Sequence, residues 1–233
     1  MTRLPFRNGF TLSIILAAST VGAVRVNAQT ITDRRVYAQF SGQKRLGKDS
    51  PWRFTGEGQV RTRDGVDAVD MALFRLYLSY DVSRHSTIAG GYGLSDTFLA
   101  AGGVQSENRF VEQYVWSGHV NGTALASRTR FEERVVDGND RTAYRIREQV
   151  RVTHPLKAKS AYTLVGYNEI FFHVNETAKY ARGFDQNRAF GGVSRQIANQ
   201  IRFEIGYLNQ YGRSKTGPAH MYHVLSTTVT VTF

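Results

Sequence analysis

Cysteine is absent from the sequence, and proline is rare, with four residues among 233. The lack of Cys excludes disulfides and thiolate metal sites, so an exported domain of this size must be held together by its backbone hydrogen bonds. Pro155 and Pro218 fall between the candidate strands described below, and Pro51 is the first residue of one, positions at which a missing N–H costs nothing.

Long apolar runs are also absent after residue 28. No stretch there has the roughly 20 apolar residues that a transmembrane helix needs, and the mean hydropathy of the chain is −0.35. Hydropathy alone would therefore indicate a soluble secreted protein. Membrane β-barrels escape this test, because their lipid-facing and lumen-facing residues alternate and cancel in any sequence window.

Acidic residues are few relative to basic ones: 19 Asp and Glu stand against 30 Lys and Arg, a formal net charge of +11. Such a charge would suit a nucleic-acid partner if it formed one patch. The basic residues are instead spread over many candidate strands, so we expect no nucleic-acid partner.

The amino terminus has the order of a secretory signal peptide. Arg3 and Arg7 precede an apolar stretch over 10–24, and Val26-Asn27-Ala28 supplies small residues at the cleavage positions. The alternative is a membrane anchor, but the run is short and no stop-transfer charges follow it. We therefore predict a signal peptide over 1–28 and a single mature domain over 29–233.

The last strand carries a clear period of two. Its outward positions end on Val229, Val231 and Phe233, and its other face is formed by Val224 and a series of hydroxyl residues. A terminal aromatic residue with apolar residues two and four places before it resembles the assembly signal of bacterial outer-membrane barrels. It implies recognition by the barrel-assembly machinery, and the strand would close a barrel without leaving an edge in lipid.

Alternating polarity between turn residues predicts eleven strands after the leader. Most exceed the ordinary length of about 5–6 residues and approach that of a tilted strand crossing a bilayer. The candidates cover residues 36–46, 51–63, 70–81, 86–95, 108–120, 124–136, 142–154, 160–174, 187–196, 199–211 and 220–233.

The connections between these candidates alternate between short turns and longer links, as in an outer-membrane barrel with short periplasmic turns. We predict an all-β fold, a transmembrane antiparallel up-and-down barrel of 10–12 strands. Bacterial single-chain barrels usually have an even number of strands. We therefore favour twelve over ten, with a further strand near 29–35.

Charged faces that carry both signs recur on these strands. Arg128, Arg130, Glu132 and Arg134 share one face of the sixth candidate, and a second such face lies on the seventh: Arg145, Arg147, Gln149 and Arg151. A soluble sandwich would place these faces in water. Their recurrence favours the reverse, a polar interior inside an apolar exterior. Aromatic residues near strand ends then suggest interfacial girdles: Trp52, Tyr80, Trp116, Tyr211, Tyr222 and Phe233.

These faces predict a charge network in the lumen. Arg130, Glu132 and Arg147 should form one network with Arg145 and Glu169, and Arg128, Arg134 and Arg188 should lie beside it, since opposed side chains on neighbouring strands lie about 5 Å apart. One interpretation is a salt-bridged plug that stiffens the barrel. The other is a narrow pore or phosphate site, because Arg outnumbers Glu on these faces.

An outer-membrane lipid-modifying enzyme is the main alternative function. Glu169 and His173 share a strand face, but no Ser is tied to them by spacing, so we assign no catalytic residue. His220 and His223 point to opposite faces, and Gly90-Gly91-Tyr92-Gly93 lies within a strand, so we expect neither a metal site nor a nucleotide cofactor. A second alternative is a secreted sandwich or lipocalin-like binding protein.

Five short motifs occur in order along the chain: Glu107-x-Arg109-x-x-x-Gln113, Arg128-x-Arg130-x-Glu132-x-Arg134, Asn168-Glu169-Ile-Phe-Phe172, Phe184-Asp-Gln-Asn-Arg188 and Gly206-Tyr-Leu-Asn-Gln210. This order resembles a family of Gram-negative outer-membrane β-barrels catalogued as a domain of unknown function, and the resemblance spans about 36–233. It implies a barrel in the bacterial outer membrane, in contact with lipid and lipopolysaccharide. It implies no reaction, so the expected role is structural or that of a narrow, porin-like pore.

Overall fold

The structure is a computed structural model that describes residues 30–157 and 160–233. The predicted signal peptide lies outside these residues. The eleven strands are β1 (Ile31–Arg45), β2 (Trp52–Arg63), β3 (Ala68–Asp81), β4 (Ser86–Phe98), β5 (Val104–Val120), β6 (Thr123–Val136), β7 (Ala143–Pro155), β8 (Tyr162–His173), β9 (Gly183–Ala198), β10 (Ile201–Gly212) and β11 (His220–Thr232). No helix in the described ranges could span a membrane, a finding that concerns helices alone.

The strands form one closed barrel in which sequence neighbours pair antiparallel around the ring. The eleven predicted strands are confirmed. The preference for a twelfth strand near 29–35 is wrong for the described residues, because Ile31 to Arg35 form the start of β1. An odd count makes β1 and β11 run in the same direction, so the ring closes through a parallel ladder from Ile31↔His220 to Gln43↔Thr232. This ladder leaves no free strand edge.

The connections alternate between the two ends of the barrel, but their lengths differ less than predicted, because the β2–β3 link covers only 64–67 whereas the β1–β2 turn covers 46–51. The short-turn end holds the β1–β2, β3–β4, β5–β6, β7–β8 and β9–β10 connections together with Phe233, and the long-loop end holds the other connections and the start of β1. Asn121 and Gly122 form the tightest turn, with φ values of 49° and 76°. Positive φ at both residues is the type I′ geometry that suits an Asn-Gly hairpin.

The two faces of the wall are inverted relative to a soluble barrel. Phe40, Phe74 and Leu225 point outward with about half of each side chain exposed, whereas Glu132 on the inner face is 0% exposed. The alternation along β11 is as predicted, since Val224 is buried inside and Leu225 is exposed outside. An apolar exterior around a charged interior is the pattern of a membrane barrel.

The middle of the outer surface is polar on several neighbouring strands. Glu112, Thr129, Glu148 and Asn168 lie near the middle of β5, β6, β7 and β8, on the outward face of each strand. The hydroxyl groups of Ser127 and Thr129 donate hydrogen bonds to the Glu148 carboxylate at 2.6 and 2.5 Å. We call Glu112, Thr129, Glu148 and Asn168 the outer polar belt.

The predicted aromatic girdle is wrong at one position. Trp52, Tyr80 and Trp116 do point outward, at the short-turn end. Tyr222 faces the lumen instead, where the Arg35 guanidinium lies 3.5 Å from its ring centroid. The reason is parity, because Tyr222 shares its strand face with the buried Val224.

Two glycines allow a close approach of β9 and β10 in a small apolar cluster inside the lumen. This cluster contains Tyr37, Val165, Phe190, Leu208 and Val224. Gly192 and Gly206 are directly paired across the ladder. A Cβ on Gly206 would lie 2.6 Å from both the Phe190 ring and the Gly192 Cα, and 2.5 Å from the Gly191 carbonyl oxygen. These positions therefore exclude any side chain.

We predict that Gly206→Ala lowers the free energy of unfolding by about 1–3 kcal/mol, because the methyl group must displace backbone as well as the Phe190 ring. Gly58→Ala is the matched control, since a Cβ there has nothing within 4 Å. Equilibrium urea unfolding in detergent micelles measures both. Equal stability of the two variants would contradict this packing.

Candidate functional site in the barrel lumen

Glu132 on β6 is the centre of the lumen charge network. Its Oε2 accepts hydrogen bonds from Arg145 Nε at 2.8 Å and Nη2 at 2.6 Å, and its Oε1 accepts one from Arg147 Nη1 at 2.6 Å. Arg130 Nη1 lies 4.0 Å from the same oxygen. Since Glu132 pairs directly with Arg145 across the β6–β7 ladder, the sheet register itself brings these charges together.

Glu169 on β8 extends the network to a fourth guanidinium. Its Oε1 accepts hydrogen bonds from Arg147 Nη2 at 2.7 Å and from Arg128 Nη2 at 2.8 Å. Arg147 therefore bridges two carboxylates, which its planar fork of donors permits and a Lys would not. The side chains of Arg147 and Glu169 are both almost fully buried.

Arg134 belongs to a separate cluster. It donates two hydrogen bonds of 2.6 and 3.0 Å to Glu107, and Arg109 donates two of 2.5 and 2.9 Å to the same carboxylate. Arg134 also donates to the Tyr180 hydroxyl at 3.0 Å. Glu107 and Arg109 were not among the predicted network residues, although the Glu107-x-Arg109 spacing places them on one strand face.

Like charges face each other directly at two places in the β5–β7 part of the wall. Arg130 pairs with Arg147 across β6–β7, and Arg109 pairs with Arg134 across β5–β6. Such pairs are destabilising by themselves. In this wall a carboxylate lies beside each pair, Glu132 near the first and Glu107 at the second, and offsets the repulsion.

Arg188 on β9 lies at the edge of the network and bonds to a residue outside it. It is paired with Glu169 in the β8–β9 register, yet its Nε donates to Gln210 Oε1 at 3.1 Å. Its guanidinium also lies 4.9 Å from the centroid of Phe171, a buried ring that Arg145 and Arg147 approach to 5.2 and 4.4 Å. Three cations thus surround one aromatic side chain in the middle of the lumen.

Two cavities lie along the lumen. The inner basin, of about 410 Å³, contains short-turn-end residues such as Gln200 and Thr232 in its lining, and the outer cavity, of about 240 Å³, contains long-loop-end residues such as Tyr180 and Tyr222. Five residues line both cavities and form the waist of the lumen: Tyr37, Arg61, Arg75, Arg147 and Arg188.

Positive charge exceeds negative charge around the inner basin, which is lined by eight Arg and three Glu residues. Arg75 pairs with Glu57 at 2.9 Å, and Arg151 pairs with Glu204. At the waist, Arg61 donates to Gln59 Oε1 at 2.7 Å instead of to a carboxylate. Within the described chain, no Asp or Glu oxygen lies within 4.0 Å of Arg61 or Arg188.

A loop over residues 174–182 covers part of the long-loop end. Lys179 Nζ donates to the Asp137 carbonyl at 2.5 Å, and Lys215 Nζ donates to the Thr177 carbonyl at 2.6 Å. The Ala178 N–H donates to Asp140 at 2.7 Å and lowers the pKa of that exposed carboxyl below its usual value. These contacts hold Tyr180 of the loop above Arg134.

The residues considered for catalysis do not form a catalytic pair. Glu169 is occupied by Arg128 and Arg147, and His173 stacks on Tyr180 with ring centroids 4.5 Å apart and lies 3.4 Å from Asp185. No group of three or more His, Cys, Asp or Glu residues suited to a metal ion occurs in the residues the structure covers.

Comparison with known proteins gives a family and one curated relative. The model of the family described as "Protein of unknown function (DUF2490)" matches residues 34–221. An uncharacterized protein of Methylorubrum extorquens, MexAM1_META1p0181, is 29% identical over 205 residues, which cover 87% of this chain and 89% of the relative. No solved structure matches the chain.

We predict that Glu132→Ala lowers the free energy of unfolding by about 3–5 kcal/mol, because it leaves buried guanidinium groups without their carboxylate. Glu132→Ala combined with Arg147→Ala should cost less than the sum of the two single changes. Glu133→Ala, one residue along and on the outward face, is the matched control and should change stability by less than about 0.5 kcal/mol. Urea unfolding measures all four variants, and additive effects in the double variant would contradict the coupling.

Proposed function

We propose that this chain, which belongs to the DUF2490 family of unknown function, is an outer-membrane β-barrel whose arginine-lined lumen admits small anions. The observation that carries the proposal is the waist, where cavities toward both ends of the barrel meet at four arginines. Rings of Arg or Lys are the usual means by which a pore favours anions.

The outer-membrane location is supported by the surface of the barrel and by the sequence at both ends of the chain. Large apolar side chains cover most of the exterior, and aromatic residues gather at the short-turn end. The order of residues 1–28 is that of an export signal. Val229, Val231 and Phe233 would serve as the signal that the barrel-assembly machinery recognises before the barrel contacts lipid and lipopolysaccharide.

A structural role accompanies the transport role. The Glu132–Arg145–Arg147–Glu169 network links β6, β7 and β8 inside the wall and is almost fully buried. Such a network fixes the wall and narrows the lumen. Arg61 on β2 and Arg188 on β9 stand outside this network, have no carboxylate oxygen within 4.0 Å among the described residues, and remain for a solute.

The test is conductance of the purified protein in planar bilayers under a salt gradient. Wild-type protein recovered from the outer-membrane fraction should give a reversal potential that shows selectivity for chloride over potassium. Arg61→Glu and Arg188→Glu should each reduce that selectivity, because both residues line the waist. Arg195→Glu is the control, since Arg195 points outward, over the Tyr162 ring.

Three outcomes would contradict the proposal. The first is recovery of the folded protein from the soluble periplasm. The second is a correctly inserted barrel that carries no current. The third is a cation-selective current that the Arg61 and Arg188 variants leave unchanged.

A further inference from the structure

The inner basin has two chemically different walls. Its seam wall is formed by β11, β1 and β2 and carries Glu57 and Arg61 together with a larger set of uncharged polar groups: Gln39, Ser41, Gln59, Ser226, Thr228 and Thr230. Its arginine wall is formed by β6 and β7 and carries Arg128, Arg130, Arg147 and Arg151. In the closed ring, β6 and β7 are five strands away from β1 in either direction, so the two walls face each other across the lumen.

Two cations without carboxylate partners meet at the waist around Tyr37. The Arg61 guanidinium lies 4.7 Å from the Tyr37 ring centroid. The Tyr37 hydroxyl and Arg188 Nε each donate to Gln210 Oε1 at 3.1 Å. Arg61 and Arg188 therefore flank one aromatic side chain, and an anion placed between them would relieve their mutual repulsion.

Further hydrogen-bond donors near this point lack acceptors. Arg75 Nε and Arg128 Nε are buried and have no hydrogen-bond partner among the described atoms. Both residues line the inner basin. Because these two Nε atoms have almost no accessible surface, their guanidinium groups add positive charge to the wall of the basin rather than open hydrogen-bond donors.

We propose that the inner basin binds a hydroxylated organic anion of the sugar-phosphate or sugar-acid class. The anionic group lies at the waist between Arg61 and Arg188, and the ligand hydroxyls exchange hydrogen bonds with the Gln, Ser and Thr side chains of the seam wall. The ligand enters from the short-turn end. This proposal rests on the proposed anion-admitting lumen and names the solute class.

Isothermal titration in detergent micelles tests the site with glucose 6-phosphate, inorganic phosphate and glucose as probes. Glucose 6-phosphate should bind more tightly than phosphate, and glucose should not bind. Arg61→Gln and Arg188→Gln should each weaken glucose 6-phosphate binding roughly tenfold or more, as expected for a lost charge-assisted hydrogen bond. Thr228→Val should weaken the binding of glucose 6-phosphate and leave the affinity for inorganic phosphate unchanged. Arg195→Gln, outside the lumen, should change neither of these two affinities.

Equal affinity for glucose 6-phosphate and phosphate would overturn the role of the seam wall. Absence of saturable binding in a barrel that still conducts chloride would overturn this proposal and leave the proposed function standing. Urea unfolding of each variant separates loss of the site from loss of the fold.

The outer polar belt carries a second and independent inference. Thr129 and Glu148 are directly paired across β6–β7. Glu112 is paired with Phe131, two residues from Thr129, and Asn168 is paired with Val150, two residues from Glu148. The belt is therefore continuous over four strands. Ionisable and polar groups at this depth of a membrane wall are costly against lipid and usually face protein.

We infer that the β5–β8 face docks against a second copy of this chain in the membrane. A two-fold axis between β6 and β7, parallel to the barrel axis, places β5 of one copy against β8 of the other. The Asn168 amide makes a 3.4 Å contact to Asn187 Oδ1 with one N–H, and its second N–H then faces the Glu112 carboxyl group of the second copy, so acceptor meets donor twice. The β1–β4 face offers no such complement, because its middle is formed by residues such as Phe40, Phe74 and Leu76.

Cross-linking tests the dimer in membranes. Because the chain has no native Cys, any disulfide must come from the introduced residue. Thr129→Cys, near the proposed axis, should give a disulfide-linked dimer on mild oxidation. Leu76→Cys, at the middle of β3, should not. Glu112→Leu should lower the dimer fraction that native mass spectrometry detects in micelles.

A monomeric mass with no Thr129→Cys cross-link would overturn the dimer. Equal cross-linking at both positions would do the same, because it would indicate random collision. A monomer that remains inserted and conducting would leave the proposed function intact.

Discussion

The inner wall of this barrel depends on carboxylates that are each shared by two or more guanidinium groups. Glu132 holds Arg145 and Arg147, Glu169 holds Arg147 and Arg128, and Glu107 holds Arg109 and Arg134. Burial of so many arginines would be prohibitive without this sharing. Because Arg still outnumbers Glu, the pairing leaves a surplus of positive charge facing the remaining space, and that surplus is the basis of the proposed anion chemistry.

The same pairing explains the asymmetry of the lumen. The β5–β8 wall pairs most of its charges with one another, whereas the β11–β1–β2 seam offers hydroxyl and amide groups together with Glu57 and Arg61. The seam is also the place where an odd strand count forces a parallel ladder. Closure and the proposed solute chemistry therefore lie on one side of the barrel, and the salt-bridge network lies on the other.

The faces of the strands could be predicted from sequence because period two assigns every residue to one side of a wall. The inward positions of Arg128 to Arg134 and of Arg145 to Arg151 follow directly from that rule. Two features could not be predicted in this way. The even-number habit of bacterial barrels led to a twelfth strand, whereas β1 simply begins earlier, at Ile31. The hydrogen-bond partners of long side chains could not be predicted either. Arg134 bonds to Glu107 and Arg188 bonds to Gln210, because the reach of an Arg rotamer, and not the strand register alone, decides which acceptor it contacts.

The proposed membrane location requires that the apolar exterior lie in lipid while the charged interior does not, and the two native tryptophans report on this directly. Trp52 and Trp116 both point outward at the short-turn end. In vesicles that contain brominated lipids, their fluorescence should be quenched strongly by bromine near the headgroup and less by bromine at the end of the acyl chain. Full quenching by an aqueous quencher with no effect of brominated lipid would contradict the account.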